Sequence, residues 1–577
     1  MTKKPESQFL GPDQRRTAWE RFGKEHFDVI VVGGGVVGAG IALDAATRGL
    51  RVALVEARDL ASGTSSRSSK MFHGGLRYLE QLEFGLVREA LKERELSMST
   101  LAPHLVKPLR FLYPLTRRGW ERPYVASGLL LYDTMGGAKS VPGQRHLTRH
   151  GALRLAPGMR RDSMIGGISY YDTVVDDARH TMTVARTAAH YGAVIRTSTQ
   201  VVGFLREADR VVGVKVRDSE DGRTAEVRAH VVINATGVWT DEIQALSQQR
   251  GRFHVRASKG VHIVVPRDRI VSDAAIILRT ATSVLFVIPW GAHWIIGTTD
   301  TEWNLDLAHP AATKADIDYL LERVNQVLVT PLTHSDIDGV YAGLRPLLAG
   351  ESDDTSKLSR EHAVARIAPG LVAIAGGKYT TYRVMAYDAV DEAAQDIPAR
   401  VSPSITEKVP LLGADGYFAL VNQTVQLAEE YGVHPYRVKH LLDRYGSLID
   451  EVVAMAADRP DLLQPIAEAP SYLQVEAVYA AAAEGALHLD DILARRTRIS
   501  IEYAHRGADC AEQVARLVAP VLGWDEAEID HEVRTYLARV NAEIRSQTQP
   551  DDASADALRV AAPEPRPEIL EPVPTEG

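Results

Sequence analysis

The spacing of apolar residues predicts three kinds of structure along this chain of 577 residues. Residues 27–56 combine two short apolar runs with a helical stretch between them, which predicts a strand–helix–strand unit. Residues 193–235 and 260–300 carry short apolar segments separated by turns, which predicts further strands, largely antiparallel in the second range. Residues 419–545 keep helical spacing throughout. The pattern therefore predicts a mixed α/β part followed by an all-helical part.

The turn between the first strand and the first helix is the most informative segment. Gly33 permits a tight turn, Gly35 lets a phosphate approach bare backbone, and Gly38 lets the helix pack against the strand. Glu56 ends the second strand, where a carboxylate can accept hydrogen bonds from ribose hydroxyls. These residues predict a dinucleotide site, with the pyrophosphate at the N-terminus of the helix.

Length and a change of composition near residue 400 predict the domain organisation. The chain exceeds the length that one core usually supports, and prolines flank a linker at 398–403. We predict an N-terminal arm at 1–26, a nucleotide-binding domain with an interleaved substrate-binding sheet at 27–400, a helical C-terminal domain at 405–547, and a disordered, acidic, proline-rich tail at 548–577. The predicted fold class is α/β (α+β), with a Rossmann-like domain, an inserted, largely antiparallel sheet and a C-terminal all-helical domain.

Composition excludes several classes of function. The formal net charge is −9, and the tail carries much of it, so no global positive charge indicates a nucleic-acid partner. Cys510 is the only cysteine, which excludes an intrachain disulfide and a cysteine-rich metal site and fits a reducing compartment. The sequence has no run of about 18 apolar residues, so we predict no transmembrane helix, and we expect no metal.

Two later turns repeat the pattern of small residues after a strand. They are Ala235, Thr236 and Gly237 in the first turn, and Gly376, Gly377, Lys378 and Thr380 in the second. An ordinary strand-to-helix connection explains the first turn equally well when it is taken alone. An NAD enzyme needs one such strand end, whereas the longer FAD can use three. The three turns together therefore predict FAD.

The segment from residue 65 to residue 78 is rich in hydroxyl groups, glycines and basic residues. Such groups can contact a pyrophosphate and a flavin ring system. The predicted cofactor-binding residues in it are Ser68, Ser69, Lys70, His73, Gly74 and Gly75. Arg77 and Tyr78 follow at positions from which a substrate could be reached, although a solvated side chain is the alternative for an arginine.

Three later positions carry candidate catalytic or anion-binding side chains. His262 begins a predicted strand, and an imidazole usually titrates near neutrality, although a lone histidine is more often structural. Arg345 stands in a Gly-Leu-Arg-Pro turn, and a guanidinium can hold a phosphate with two hydrogen bonds. Arg360 offers a second cation nearby, or an ordinary surface charge.

Several of these segments resemble the FAD-dependent glycerol-3-phosphate dehydrogenases, which are respiratory, aerobic-type enzymes of the D-amino-acid-oxidase-like flavoprotein group. The resemblance runs from about residue 27 to about residue 545, so the arm and the tail lie outside it. Its most specific parts are 69–80, 296–300 and 376–383. The helical segment that contains Asp491 resembles the family's C-terminal cap.

The resemblance implies oxidation of sn-glycerol 3-phosphate to dihydroxyacetone phosphate, with the C2 hydride passing to N5 of the flavin. Glu56 would bind the adenosine ribose and Lys378 would lie beside the flavin, while His262 is the first choice of general base without a firm assignment. The implied catalytic residues are His262, Arg345 and Lys378, and the implied substrate-binding residues are Arg77, Tyr78, His262, Arg345, Arg360 and Lys378.

The resemblance also implies a membrane quinone as electron acceptor, non-covalent binding of FAD, a homodimer, and a cytoplasmic protein held peripherally at the inner face of the membrane. Residues 107–132 interleave basic side chains with aromatic and apolar ones, which is typical of an anionic lipid interface. A segment that lines the substrate domain explains the same pattern equally well. The basic and aromatic positions are Lys107, Arg110, Phe111, Tyr113, Arg117, Arg118, Trp120, Arg122 and Tyr124.

Three other functions are compatible with a flavin-binding chain of this kind. An oxidase of the same fold would use O₂, and a related amine or amino-acid dehydrogenase would hold a carboxylate at Arg345. A flavin-bound protein that serves assembly or sensing would need none of Arg77, Arg345 and Lys378. The joint presence of these three cations argues against the assembly or sensing protein.

Overall fold

The computed structural model describes residues 9–75, 83–135, 141–247, 253–280, 284–349, 362–567 and 569. Arg77, Tyr78 and Arg360 of the predicted substrate-binding set lie outside the described residues. The described part of the chain forms two large β-sheets, helices that pack on them, and a helical C-terminal domain. The predicted fold class is thereby confirmed.

The first sheet is the nucleotide-binding part of the fold. Its strands, numbered along the chain, are β1 (His26–Val32), β2 (Val52–Val55), β7 (Val194–Arg196), β8 (Thr199–Glu207), β9 (Arg210–Asp218), β10 (Thr224–Asn234), β17 (His362–Ala368) and β18 (Leu371–Gly376). Strands β18, β10, β1, β2 and β7 are parallel neighbours in this order. β17 pairs antiparallel with β18, and β8 and β9 form an antiparallel extension beside β10. Helices cover one face of the central strands, and the β8–β9 extension together with the first helix covers the other face. The central strands need cover on both faces because they are continuous apolar runs.

The second sheet is almost entirely antiparallel, with β12 and β4 as its parallel pair in the described residues. Its strands are β3 (Met71–Phe72), β4 (Lys107–Leu115), β5 (Arg145–Thr148), β6 (Gly166–Val174), β11 (Val255–Pro266), β12 (Ala275–Arg279), β13 (Val284–Trp290), β14 (His293–Gly297), β15 (Thr301–Trp303) and β16 (Gly339–Leu348). The order is β15-β11-β14-β13-β12-β4-β6-β3, with β16 also on β11 and β5 also on β6. Because its strands come from both sides of the β7–β10 segment, this sheet is interleaved with the nucleotide-binding fold as the sequence predicts.

The helices of the first 400 residues pack on these sheets. They are α1 (Pro12–Phe22), α2 (Val36–Thr47), α3 (Phe84–Leu96), α4 (Glu121–Met135), α5 (Arg149–Leu155), α6 (Asp177–His190), α7 (Thr240–Leu246), α8 (Lys314–Asn325) and α9 (Tyr382–Ala393). Small residues along α2 let α6 and α9 approach it closely in one hydrophobic cluster. On the other face of the first sheet, Phe22 of α1 packs edge-on against Phe27, so the predicted arm is part of the core.

The C-terminal domain contains two hydrophobic clusters between helices. Its helices are α10 (Tyr417–Asn422), α11 (Thr424–Tyr431), α12 (Pro435–Tyr445), α13 (Ile449–Ala454), α14 (Gln474–Ala483), α15 (Ile499–Glu502), α16 (Ala511–Leu522) and α17 (Glu526–Ser546). The helical domain of the predicted fold class is therefore present, and it departs from the all-helical prediction at one short hairpin, β19 (Pro465–Ile466) and β20 (Ala469–Leu473).

Buried ion pairs join the C-terminal domain to the first sheet. Arg496 donates to both carboxylate oxygens of Asp59, at 2.7 and 2.8 Å, and Arg495 donates to the same carboxylate at 2.6 Å. Arg498 reaches Asp176 at 2.6 Å. The segment that resembles the family's cap therefore fixes the loop that follows β2, because these charges lose their solvation and depend on one another.

The C-terminal tail differs from the sequence prediction. Its described residues form helix α18 (Asp552–Val560), whose Ala555 is fully buried, and Asp551 caps it by accepting from the Ser554 N–H at 2.8 Å. Beyond the helix, Arg566 is buried and pairs with Asp491 at 3.0 Å. Proline and acid content predict disorder for a segment taken alone, whereas this segment docks on partners far away in the sequence. The prediction of disorder is therefore wrong for residues 552–567.

Candidate functional site

The strand order places the candidate site at the carboxyl ends of β1 and β10. From β1, the chain continues to β2 on one side, whereas β10 and β18 lie on the other side. A crevice forms where the strand order reverses, and it is the usual ligand site of an open parallel sheet. The glycine turn after β1 and the turns after β10 and β18 all open into this crevice.

The three glycines of the first turn have separate structural reasons. Gly33 has φ +109°, and a Cβ there would lie 2.8 Å from the Ala235 carbonyl oxygen. A Cβ on Gly38 would lie only 1.9 Å from the Gly33 carbonyl oxygen, so this glycine lets α2 pack on the turn. Gly33 and Gly35 line the crevice, while Gly38 supports it from behind. The geometry agrees with the tight turn predicted at Gly33 and the helix packing predicted at Gly38, and the approach of a phosphate to Gly35 stays a prediction.

Glu56 lies at the carboxyl end of β2, against the glycine turn. Its carboxylate accepts from the Gly34 N–H at 2.6 Å and from the Arg58 N–H at 2.8 Å. Burial raises the pKa of Glu56, and the two backbone N–H groups oppose that rise. The carboxylate is thus fixed at the edge of the crevice, with lone pairs left to accept from a ribose hydroxyl.

A cavity of about 640 Å³ runs along these strand ends. The predicted cofactor-binding residues that line it are Gly33, Gly35, Glu56, Ser68, Ala235, Thr236, Gly237, Gly376, Gly377 and Lys378. Gly237, Gly376 and Gly377 have φ values of +61°, +77° and +84°, which favour glycine. Ile569 from the tail also reaches this cavity. All three small-residue turns therefore contribute to one elongated space.

A second cavity of about 470 Å³ continues from the first, between the two sheets. Lys378, Gly377 and Ser68 line both cavities, so the spaces meet at the turn after β18. The other predicted residues that line the second cavity are Ser69, His73, Gly75, His262, Arg345 and Thr380. The structure thus brings together the described members of the predicted catalytic set.

Besides Gly38, two further predicted cofactor-binding residues, Lys70 and Gly74, line neither cavity. Lys70 is fully buried, and its ammonium group donates to Asp177 and to the Ser66 carbonyl, both at 2.8 Å. Gly74 donates its N–H to the Tyr132 hydroxyl at 2.8 Å, and a Cβ there would lie 2.7 Å from Leu91 and Tyr132. In this geometry both residues hold the loop that carries Ser68, Ser69 and His73, and neither lines the cofactor space.

His73 lies in the second cavity near Lys378. Burial, with a contribution from the Lys378 charge, lowers the pKa of His73 to about 4. Its backbone N–H donates to the Thr380 hydroxyl at 3.2 Å, which ties the loop to the turn after β18. A neutral imidazole at this point leaves Lys378 as the charged group beside the junction of the cavities.

His262 lies in β11 and faces the second cavity. Its Nε2 is 2.9 Å from the Ser69 hydroxyl, and its ring stacks on Tyr341 with centroids 4.7 Å apart. Its Nδ1 is buried without a hydrogen-bond partner in the described part of the chain. Burial, followed by the charges of Arg345 and Lys70, lowers the pKa of His262 well below its ordinary value. The ring is therefore neutral near pH 7 and is held in a fixed orientation.

Arg345 lies in β16, next to β11. Its guanidinium donates to the Thr298 hydroxyl at 3.2 Å and pairs with Asp300 at 3.3 Å. A Cβ on Gly260 would lie 2.8 Å from the guanidinium, so the bare backbone there makes room for it. The Ile296–Asp300 segment, which the sequence singles out, thus positions an arginine that faces the cavity.

Sequence reasoning missed several cavity residues. Arg279, at the end of β12, lines the second cavity, and so does Arg67. Ser65 accepts from the Val36 N–H at 2.9 Å and so caps α2 at its N-terminus. A basic residue at the end of a strand is too common to single out Arg279. Arg67 and Ser65 lie inside the hydroxyl-rich segment, and that composition is the signal by which the sequence could have indicated them.

The residues present fit FAD. The first cavity offers bare backbone at a helix N-terminus for a pyrophosphate and a fixed carboxylate for a ribose. Its continuation past Gly376 and Gly377 has room for an elongated cofactor, and Lys378 supplies a basic side chain where the two cavities meet. Cys510 lies buried in the C-terminal domain and lines neither cavity.

Comparison with known proteins agrees with this geometry. Residues 28–383 match the family described as FAD dependent oxidoreductase, and residues 404–529 match the C-terminal domain of alpha-glycerophosphate oxidase. The solved structure of a glycerol-3-phosphate dehydrogenase from Bacillus halodurans complexed with FAD has a TM-score of 0.78 and 28% identity, with 94% of this chain and 100% of that chain covered.

Curated relatives extend the similarity to nearly the whole chain. Glycerol-3-phosphate dehydrogenase 2 of Mycobacterium bovis is 79% identical over 565 residues, which are 98% of this chain and 97% of the relative. The mitochondrial glycerol-3-phosphate dehydrogenase of Homo sapiens is 34% identical, with 88% of this chain and 72% of the relative covered. The chain therefore belongs to the FAD-dependent glycerol-3-phosphate dehydrogenases, an enzyme family of the FAD dependent oxidoreductases.

Proposed function

We propose that this enzyme oxidises sn-glycerol 3-phosphate to dihydroxyacetone phosphate with FAD. The observation that carries the proposal is the pair of joined cavities, because one fits an elongated dinucleotide and the other is lined by fixed cations. Lys378 stands at the junction of the two cavities, and Arg345 and Arg279 line the second cavity. A small phosphate ester next to a flavin is the ligand that this arrangement suits.

Arg345 is the proposed phosphate-binding residue. A guanidinium presents a planar fork that can donate two hydrogen bonds to a phosphate dianion. Its contacts with Thr298 and Asp300 set the direction of the side chain before substrate binds. Arg279 adds a second cation in the same cavity, and Arg77 and Arg360, which lie outside the described residues, stay candidates from the sequence.

Lys378 and His262 are the proposed catalytic partners of the substrate alcohol. Lys378 holds the substrate oxygen or the charge of the reduced cofactor. His262 accepts the C2 hydroxyl proton, since its ring is neutral and Ser69 holds one of its nitrogens. Gly33, Gly35 and Glu56 would hold FAD non-covalently in the first cavity, where it would supply the hydride-accepting redox chemistry that side chains lack.

Anaerobic mixing of the purified holoenzyme with sn-glycerol 3-phosphate tests the function. We expect the visible absorbance band of the oxidised flavin to bleach, because the substrate delivers two electrons with no acceptor present. An amino acid such as glycine, added in place of the phosphate ester, should leave the band unchanged. Bleaching by an amino acid but not by the phosphate ester would favour an amine or amino-acid dehydrogenase. No bleaching by glycerol 3-phosphate would contradict the proposal. Readmitting either O₂ or a quinone analogue then separates an oxidase from a dehydrogenase.

The pH profile of kcat/KM tests the assignment of His262. Because the His262 pKa is lowered, the ring is neutral at pH 6.5 and stays so for some distance below it. We therefore expect activity to be retained on acidification through pH 6.5 and to fall only at lower pH, when the ring binds a proton. The His262→Gln variant should be slow and should lack this acid limb. If the acid limb of the kcat/KM profile lies at the same pH in wild type and in the variant, it belongs to a group other than His262.

The proposed electron acceptor is a quinone, taken up at a membrane surface. In the described residues, no helix is long and apolar enough to cross a membrane. Peripheral contact is supported by α4 and the residues just before it. Tyr124, Leu130 and Leu131 are exposed on the helix, and Trp120, Arg117 and Arg118 are exposed in the segment that leads into it. Apolar side chains with basic neighbours suit an anionic lipid interface. A surface of this kind supports the proposal of a cytoplasmic location, because anionic lipids are concentrated in the cytoplasmic leaflet.

The structure narrows the predicted membrane surface. Phe111 and Tyr113 are buried in β4, Lys107 pairs with Asp443 at 3.1 Å, and Arg110 donates to Ser169. Arg122 donates to the Leu147 carbonyl at 3.0 Å, so its replacement would disturb the fold. These positions belong to the substrate domain, as the alternative interpretation of the segment expects, and the exposed part is the start and outer face of α4.

Flotation with vesicles that contain phosphatidylglycerol tests this surface. We expect wild type to float with the vesicles and an Arg117→Glu, Arg118→Glu variant to stay in solution, because two attractive charges become repulsive. The matched control is Arg516→Glu, Arg534→Glu, which makes the same charge change at exposed positions of the helical domain. Equal flotation of both variants would contradict the proposed surface.

The predicted homodimer is measured separately by light scattering.

A further inference from the structure

A third cavity lies between the nucleotide-binding domain, the helical domain and the C-terminal tail. Its volume is about 130 Å³, well above the roughly 10–15 Å³ that a single ordered water needs. The loop after β2, the end of α17 and the described tail all contribute to its wall. The proposed reaction does not use this cavity, and part of its wall comes from the tail, which lies beyond residue 529, where the match to the C-terminal family model ends.

Guanidinium groups dominate the wall of this cavity. The arginines that line it are Arg58, Arg67, Arg495, Arg498, Arg506, Arg539, Arg559 and Arg566, and the carboxylates that line it are Asp490, Glu543 and Glu564. Most of these arginines have a carboxylate partner: for example, Arg559 pairs with Glu543 at 3.0 Å and Arg58 with Glu564 at 2.7 Å. The wall nevertheless carries more positive than negative groups.

Two of the arginines have no carboxylate within 4 Å in the described part of the chain. Arg506 is only 6% exposed, and its Nε and Nη1 have no hydrogen-bond partner there, while its Nη2 reaches the Gln547 side-chain oxygen at 3.5 Å. Arg67 donates to the Ala308 carbonyl at 3.0 Å. A guanidinium held away from water with no carboxylate beside it is costly, so Arg67 and Arg506 mark a place in the wall that an anion would stabilise.

The pKa values of Arg67 and Arg506 also indicate too little negative charge around them. Burial, followed by the Arg559 and Arg495 guanidiniums, lowers the pKa of Arg67 to about 10. Burial also lowers the pKa of Arg506, and the carboxylates near it do not offset that change. An anion placed in the cavity would reverse these shifts, since it would favour the charged form of each guanidinium.

We propose that this cavity is a second anion site, separate from the substrate cavity, which binds a phosphate group through Arg506 and Arg67. Guanidinium forks match the oxygens of a phosphate, and the cavity holds a compact oxyanion but not a nucleotide. Free phosphate and a small phosphate monoester share this chemistry. Arg67 lines both this cavity and the substrate cavity, so the occupied site braces the loop that carries Ser68 and Ser69.

Isothermal titration of the holoenzyme with inorganic phosphate tests the site. We expect Arg506→Gln to weaken the binding of phosphate at least tenfold, because the buried donor fork is lost, and Arg506→Lys to weaken it less. The matched control is Arg516→Gln, an exposed arginine of the same domain, which should bind like wild type. Phosphate bound in the substrate cavity is common to all four proteins, so the difference between them reports the second site alone.

The titration also decides the source of the phosphate group. Methyl phosphate is titrated in parallel, and tighter binding of the ester or of the free ion assigns the ligand to one of the two. The flavin content and the KM for glycerol 3-phosphate should be unchanged in Arg506→Gln, since Arg506 does not touch the substrate cavity. Wild-type binding of both phosphates by Arg506→Gln would overturn the proposal.

A measurement on the wild-type holoenzyme alone covers the case in which the variant does not fold. Hydrogen exchange with and without inorganic phosphate should show slower exchange in residues 504–508 and 543–549, which flank the cavity. The phosphate concentration is raised until the loop that carries Ser68 and Ser69 shows slower exchange. Unchanged exchange in both flanking segments at that concentration would overturn the proposal without any substitution.

Discussion

Replacing Arg345 by alanine is expected to lower kcat/KM for glycerol 3-phosphate by about 10²- to 10⁴-fold, because two hydrogen bonds to a charged group are each worth about 1.5–3 kcal/mol. The loss should fall mostly on KM if the guanidinium binds the phosphate equally in the ground state and the transition state. Flavin content should stay at the wild-type level, because Arg345 lines the second cavity and not the cavity that fits the dinucleotide.

Two further variants make this result specific. Arg256→Ala, in the neighbouring strand, removes an arginine whose partner is the exposed Glu302, and it should leave KM unchanged. Arg345→Lys keeps the charge but loses the planar fork, so we expect it to recover only part of the loss. Equal loss of flavin and activity in Arg345→Ala would mean that this arginine supports the cofactor cavity, which would contradict the role proposed here.

The parts of the fold that the sequence predicts are those specified by short-range patterns. The β1–α2–β2 unit and its glycine turn follow from local spacing, because the two strands and the helix follow one another within 30 residues and Gly38 makes room for the Gly33 carbonyl inside the same unit. The alternating strands of the second sheet also follow from period-two patterns. Their pairing across the sheet does not, since β16 lies beside β11 although some 75 residues separate them.

Side-chain direction within the hydroxyl-rich segment could not be predicted. Ser69 and His73 face the cavity, while Lys70 between them turns towards Asp177. Lys70 has φ +59°, a conformation that L residues rarely adopt, so the strand alternation that would otherwise assign its direction does not apply. The buried Asp177 that draws the ammonium group inward comes from α6, more than 100 residues later.

The tail shows the same limit of composition. Its prolines and acids predict disorder, yet Arg566 reaches Asp491 and Glu564 reaches Arg58. These partners lie on the helical domain and on the loop after β2, and only the assembled fold brings them to one place. A segment that cannot form a core of its own is thus ordered by charges that two domains present to it.

The largest effect on the cofactor is expected at Gly38. In a Gly38→Ala variant the new Cβ would lie 1.9 Å from the Gly33 carbonyl oxygen, which is backbone and cannot rotate away. Either α2 moves off the turn or the turn moves into the crevice, at a cost of about 3 kcal/mol. Because Gly33 and Gly35 form the phosphate-facing wall, we expect the purified variant to contain little flavin and to unfold at a lower temperature.

The matched control is Gly128→Ala, which makes the same substitution inside helix α4. A Cβ at Gly128 meets nothing within 4 Å, so alanine there should be neutral or should stabilise the helix by about 0.5–1 kcal/mol. The ratio of flavin to protein absorbance and the unfolding temperature, measured for both variants, decide the matter. Full flavin content in Gly38→Ala would show that the helix and turn can separate without loss of the site, and the close packing of α2 on β1 would then not be what holds the cofactor.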